Sequence, residues 1–279
     1  MYKEKIFVCG GDIRSIYIAD FFKSNGYLVK TFGLEKDGKE SLYDVKDADI
    51  VILGLPAVTD GIINMPLSSY RPELDRLIKM CKKGAFISGG RIRNEDFDMA
   101  EKYGLRLTDY SEDELFMVEN AFYTAEGALC EIVKNTAKSL CNMKILIVGS
   151  GRISKAICTL LSSSPACLTV SARSKVKMQD FVHMGINTLW PVEDMSEYDV
   201  IVNTVPAEIL TEKSLSTLKK EAIILDLSAR PGYVNKDVCH KYNINLLCLP
   251  GIPKLSAPRS AGESAARAVM RMYHSIDFR

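Results

Sequence analysis

The chain has 279 residues, 47% of them hydrophobic, with 36 basic against 35 acidic side chains and a formal net charge of +1. That balance carries no global sign of a nucleic-acid or membrane partner, and the apolar runs are too short to span a bilayer. The length suggests two domains and the hydrophobic share can bury a sizeable core. The opening "MYKEKIFVCGG" goes straight into a strand pattern with no signal peptide, so a soluble cytoplasmic protein is expected.

In chain order, "KIFVC" is a short apolar strand, and "IRSIYIADFFKSNG" has helical spacing closed by Gly26. "YLVKTF" and "DIVILGLP" are strands, and "RPELDRLIKMC" is a helix with proline in its first turn. "GAFIS", "NEDFDMAEKYG" and "LRLTDY" continue the alternation, which predicts a parallel sheet with helices on both faces. Residues 122–140 form an amphipathic helix that carries the chain between domains. From 144 the theme repeats: "KILIVG", a helix from Arg152, "CLTVSA", a helix near "KVKMQDFVHMG", "DVIVNTVP", a helix near "TEKSLSTLKK", "AIILDL" and "INLLCLP". No fixed-period repeat is present.

The fold class is therefore α/β: two doubly wound domains with an interdomain cleft, the second a Rossmann domain. The expected boundaries are 1–121, an interdomain helix over 122–142, and 143–258, with a last helix over 259–279 that can pack back on the first domain. A cleft between such domains is the usual place for a small ligand. The eight cysteines form no C-x-x-C pair, and most lie inside apolar patterns, so reduced structural thiols and no metal are expected. His183, His240 and His274 lie in polar helical contexts away from any motif, which disfavours a histidine base.

"ILIVGSGRISKAI" places Gly149 and Gly151 after a buried strand and before a helix, the context that gives a G-x-G pair meaning. The first glycine permits the tight turn, and the second lets backbone approach a pyrophosphate at the helix N-terminus. The third glycine of the fingerprint is Ser154, a packing change. Gly149, Ser150, Gly151, Arg152 and Ile153 are thus candidate cofactor contacts. The following strand ends in Ala172, Arg173, Ser174 with no acid to bind a ribose 2′-hydroxyl. An arginine and a hydroxyl suit a 2′-phosphate, so NADP is expected, with NAD as the other choice; Arg173 as a solvated loop cation is the plain alternative. Asn203, Thr204, Val205 and Pro206 end a strand and are expected to line the nicotinamide side.

Taken jointly, "KIFVCGGDIRS", "AFYTAEGAL", "LIVGSGRISKAI", "VSARS", "DVIVNTVPAEIL", "IILDLSARPGY" and "LCLPGIPKLSAPRSAG" resemble the A subunit of dipicolinate synthase over nearly the whole chain. The departures are Ser154 for a glycine, Tyr233 and Lys254 for glycines, and Arg259 for a lysine. The resemblance implies a cytoplasmic enzyme of spore-forming bacteria. With a flavoprotein-like B subunit it would oxidise dihydrodipicolinate to dipicolinate using NAD(P)⁺.

That chemistry needs a clamp for two carboxylates, a ring carbon aimed at the nicotinamide, and a base. Arg14, Arg230 and Arg259 are candidate clamps because the guanidinium fork binds a carboxylate bidentately; each also fits a surface arginine. Thr124 and Glu126 lie in the T-A-E-G motif. Glu126 falls within the apolar arc set by residues 122, 129 and 133, and a carboxylate there is either the base or bonded to an amide or arginine. Asp12 is the second base candidate, or a turn residue. The competing functions are a dehydrogenase of the same plan for another small carboxylate and a non-catalytic NADP-binding regulatory subunit. Whether the chain forms a homo-oligomer is open.

Overall fold

A computed structural model describes residues 4–34, 41–228 and 232–276. The chain divides into two compact units. The first holds the residues up to Asn120 and those from Ala257 onward, and the second runs from Ala121 to Ser256.

The first unit contains β1 (Lys5–Cys9), α1 (Ile13–Ser24), β2 (Leu28–Phe32), β3 (Ile50–Leu53), the hairpin β4 (Val58–Thr59) and β5 (Ile62–Ile63), α2 (Leu74–Met80), β6 (Phe86–Gly89), α3 (Asn94–Lys102) and β7 (Arg106–Asp109). Its parallel sheet runs β2-β1-β3-β6-β7. With the hairpin set aside, that is one of the two common doubly wound orders. The strands are continuous apolar runs because both faces are covered. Along β1, Phe7 and Cys9 pack on one side, and Ile6 and Val8 on the other. Pro72 does not start a helix. It precedes α2, and its carbonyl accepts from Ile63 N at 2.9 Å, tying it to the hairpin.

α4 (Glu114–Asn135) follows, and the unit boundary falls inside it. It begins earlier than the apolar spacing predicts. Asp113 supplies the reason, because its carboxylate accepts from Phe116 N at 2.8 Å and so caps the first turn. The face it buries overlaps the predicted apolar stripe only in part, at Ala125, Leu129 and Ile132. Ala121, Ala125, Ala128 and Ile132 are buried, whereas Phe122 is 38% and Val133 56% exposed. Small residues mark the packed side here, so the large apolar residues misplace it.

The second unit contains β8 (Lys144–Val148), α5 (Arg152–Leu161), β9 (Cys167–Ser171), α6 (Lys175–His183), β10 (Asn187–Leu189), β11 (Val200–Asn203), α7 (Glu212–Leu215), β12 (Ile223–Asp226), α8 (Lys236–Lys241), β13 (Asn245–Cys248) and α9 (Pro253–Ser256). The six-stranded parallel sheet runs β10-β9-β8-β11-β12-β13, the order of a dinucleotide-binding fold. β10 is absent from the expected elements because it is three residues long and not fully buried. α10 (Pro258–Ile276) belongs to the first unit and lies on α1, where Ala265, Ala266, Ala268 and Val269 join the same core as Ile18 and Phe22.

The two units repeat one set of contacts. Lys5 N donates to Asp49 at 2.7 Å, and Lys144 N donates to Asp199 at 2.9 Å. A lysine after the next helix joins each carboxylate: Lys82 on Asp49, Lys219 on Asp199. Gly10 N donates to Phe32 O, and Gly149 N to Ser171 O, both at 2.8 Å. The offset between counterparts is constant for Lys5, Gly10 and Phe32 but changes at Asp49 and again at Lys82, so the correspondence is not a fixed-period repeat along the whole chain.

Candidate functional site

In the second sheet the strand order reverses between β8 and β11, and ligands of such sheets bind outside the carboxyl ends of the strands at that reversal. Gly149 and Gly151 stand there. Gly149 has φ +117°, and a Cβ on it would lie 2.3 Å from Thr204 Oγ1, so only glycine fits. Gly151 is the N-cap residue of α5. A Cβ there would meet nothing within 4 Å, no side chain caps the helix, and its first turn holds no acid. The start of α5 at Gly151 is thus open, with no side chain or acid of the chain on it, which is what an anion at a helix N-terminus requires.

Ser154 is fully buried in this turn. Thr204 Oγ1 donates its one hydrogen to Val148 O at 2.9 Å, so in the 3.0 Å contact with Ser154 Oγ the serine is the donor. The serine therefore fastens α5 to the exits of β8 and β11. Arg152 is exposed at the start of α5, and Ser150 and Ile153 are half-buried. At the exit of β9, Ala172 is buried and Arg173 exposed, and no ion pair holds Arg173 among the described residues. Ser174 Oγ accepts from Lys177 N at 3.3 Å as the N-cap of α6.

Asn203 does not point outward. Its Nδ2 donates to Asp226 Oδ1 at 3.0 Å and to Val205 O at 3.2 Å, and its Oδ1 accepts from Val205 N at 3.2 Å. Its amide is spent on holding the chain, so a direct cofactor contact through that amide is corrected to a supporting one. Thr204 and Val205 are half-buried and Pro206 is exposed. Asp226, which sequence reasoning missed, is 1% exposed. Burial pushes its carboxyl up, but the Ser228 hydroxyl, the Tyr233 and Ser228 N–H groups and Asn203 hold it below the ordinary carboxylate range. The signal was present as an aspartate closing an apolar strand with a serine two residues on.

The first unit has a similar glycine turn, but its own chain fills it. A Cβ on Gly10 would lie 2.7 Å from Met65 Cγ, and one on Gly54 would lie 2.4 Å from Gly11 Cα. Asp12 caps α1 and grips Arg14: Nε donates to Oδ1 and Nη2 to Oδ2, each at 2.8 Å, and Nη2 also donates to Leu55 O at 2.6 Å. Burial works against the charge of Arg14, and the Asp12 carboxylate more than restores it. Asp12 and Arg14 are brought together, but on each other, which removes the free base and the free clamp expected of them. Beside them burial pushes the Tyr110 phenol up.

Three further expectations change. Glu126 is exposed rather than on the packed face of α4, so burial gives no reason to single it out. Thr124, two residues earlier, is buried. Arg259 lies in the first turn of α10 and is no free clamp, with its side chain 77% exposed and Nε donating to Glu263 at 2.8 Å. Arg230 lies outside the described residues. The three histidines are exposed. The cysteines are free, with Cys130, Cys141, Cys167 and Cys248 exposed rather than packed in the core. No cluster of metal-binding side chains occurs among the described residues, and no helix there is long and apolar enough to cross a membrane.

Residues 5–111 match the family model of the N-terminal domain of the dipicolinate synthase A subunit. The chain is 26% identical to the dipicolinate synthase A subunit of Bacillus subtilis (strain 168), over 98% of its own length and 96% of that protein. The solved structure of the B. subtilis A chain superposes with a TM-score of 0.86 at 23% identity, covering 99% and 98% of the two chains. A D-lactate dehydrogenase from Escherichia coli superposes at a TM-score of 0.64 and 16% identity, covering 98% and 96%.

Proposed function

We propose that this chain, which resembles the dipicolinate synthase A subunit from end to end, is a dehydrogenase-type polypeptide that uses a nicotinamide dinucleotide to oxidise dihydrodipicolinate to dipicolinate. What carries the reading is the uncapped, acid-free N-terminus of α5 behind Gly149 and Gly151, set where the second sheet reverses its strand order. The same resemblance adds a partner, the B subunit.

The residues divide the work as follows. The N–H groups of α5 and the bare Gly151 hold the diphosphate. Arg173 and Ser174 take a 2′-phosphate, so NADP is preferred over NAD. Thr204, Val205 and Pro206 border the nicotinamide side, where the ring accepts the hydride when the dinucleotide is bound. On the substrate side, Thr124 and Glu126 stand first, through their T-A-E-G motif, with Glu126 as the proton acceptor. Arg230 is the remaining clamp, since Arg14 is committed to Asp12 and Arg259 to Glu263.

The test supplies dihydrodipicolinate with NADP⁺ or NAD⁺, in the presence and absence of the B subunit. Nicotinamide absorbance and dipicolinate are followed together. Reduced nucleotide and dipicolinate should appear in equal amounts. Absence of both, with the B subunit present and the dinucleotide bound, overturns the reading in favour of a non-catalytic binding protein.

A further inference from the structure

We propose that Asp226 is the positioning residue of this dinucleotide site, locking the exits of β12, β11 and β8 into one arrangement through Asn203. The proposal rests on the dinucleotide reading above.

Asp226 ends β12 directly beside Asn203, which in turn pairs with Val148 at the end of β8. Every hydrogen bond the carboxylate makes among the described residues comes from a neutral group. Oδ1 accepts from Asn203 Nδ2 at 3.0 Å, Ser228 N at 3.1 Å and Ser228 Oγ at 2.5 Å. Oδ2 accepts from Tyr233 N at 2.9 Å and Val234 N at 3.3 Å. A buried carboxylate is costly, and such a ring of donors is what allows it to stay.

The contacts continue toward the glycine turn. Held by Asp226, the Asn203 amide fixes both the N–H and the carbonyl of Val205. Val205 and its neighbour Thr204 then press on Gly149: from the place a Cβ would occupy, Val205 Cγ2 is 2.9 Å away and Thr204 Oγ1 is 2.3 Å away. The chain of contacts runs from a buried carboxylate to the turn that would hold the diphosphate. An amide replaces it only by leaving donors without partners. Its NH₂ would face either the Tyr233 and Val234 N–H groups, which cannot accept, or the Asn203 NH₂ and the Ser228 N–H, where the Ser228 hydroxyl alone could turn to accept.

The test compares native protein with an Asp226→Asn variant, using NADPH fluorescence for the whole dinucleotide and competition by AMP for the adenosine end alone. Native protein should bind NADPH. The variant should bind NADPH about tenfold or more weakly, the scale of one hydrogen bond to a charged group, while AMP affinity stays within about twofold. A defect of folding alone would lower both together. If the variant does not fold, Asn203→Ala cuts the link to Val205 while leaving Asp226 its loop donors, and the same split is expected. Native NADPH affinity in the variant, or equal losses for NADPH and AMP, overturns the positioning role alone. Failure of native protein to bind any dinucleotide overturns both this role and the function it serves.

Discussion

In the proposed function, the choice of NADP over NAD rests on one side chain, Arg173. It occupies the strand exit at which a carboxylate would favour an unmodified ribose, and it stands exposed with Ser174 beside it. Arg173→Ala should raise the dissociation constant for NADPH by at least about tenfold and leave that for NADH within about twofold, as loss of a charge-assisted phosphate contact requires. Titration of both reduced nucleotides against the variant checks this; equal losses would remove the 2′-phosphate assignment. Ser154 shows the converse. It departs from a sequence fingerprint, yet its buried hydroxyl only adds a bond to Thr204, so the departure is a matter of packing. The burial of Glu126, though not its proposed role, is misjudged from spacing: the arc of large apolar residues on a helical wheel is not the buried arc when alanines do much of the packing.

Among the elements, α1 and α10 lie so close that a Cβ on Gly262 would be 2.5 Å from Arg14 O and 2.7 Å from Tyr17 Cβ. Helix propensity alone would make Gly262→Ala stabilising by about 1 kcal/mol. The contact is with backbone, which cannot rotate away, so the variant should instead lose about 1–3 kcal/mol. Urea unfolding of the two proteins decides the sign, and a gain in stability would mean that the helices can part at no cost. Much at this scale was legible in the sequence. "KIFVC", "DIVILGLP", "KILIVG" and "AIILDL" are strands because fully covered parallel strands are apolar throughout, and the two-glycine turn declared its place between strand and helix. Less was legible where local pattern is weak or the decisive contact is distant. The hairpin β4–β5 has two-residue strands, α7 shrinks to one turn, and the start of α4 depends on a cap that apolar spacing ignores. The pairing of Asp12 with Arg14, and of Asn203 with Asp226, belongs to the folded chain and not to its periodicity.

For the whole molecule, the same carboxylate closes the amino end of both sheets. Burial raises the carboxyl of Asp49, but Lys82 and the Lys5 N–H bring it below its ordinary value. Burial likewise opposes Asp199, while Lys138, Lys219 and the Lys144 N–H hold it down to about 2. A carboxyl whose folded value lies below its unfolded one adds stability that is fully present above the unfolded value, about 4, and is lost as the pH falls through the folded value. The urea midpoint should therefore drop between about pH 4 and pH 2, and Asp199→Asn should flatten that drop. An unchanged pH slope in the variant would mean the carboxylate contributes nothing. The likeness of the two units also has a limit, at the turn after the first strand. Where the second unit has the bare Gly151, the first has Asp12, so α1 already carries an anion of the chain's own making, with Met65 and the hairpin filling the space beside it. The binding stoichiometry follows from that difference. Among the described residues, of the two turns that follow a first strand only the second offers an open helix start, and an equilibrium titration should saturate at one dinucleotide per polypeptide; saturation at two would mean that Asp12 and Met65 give way.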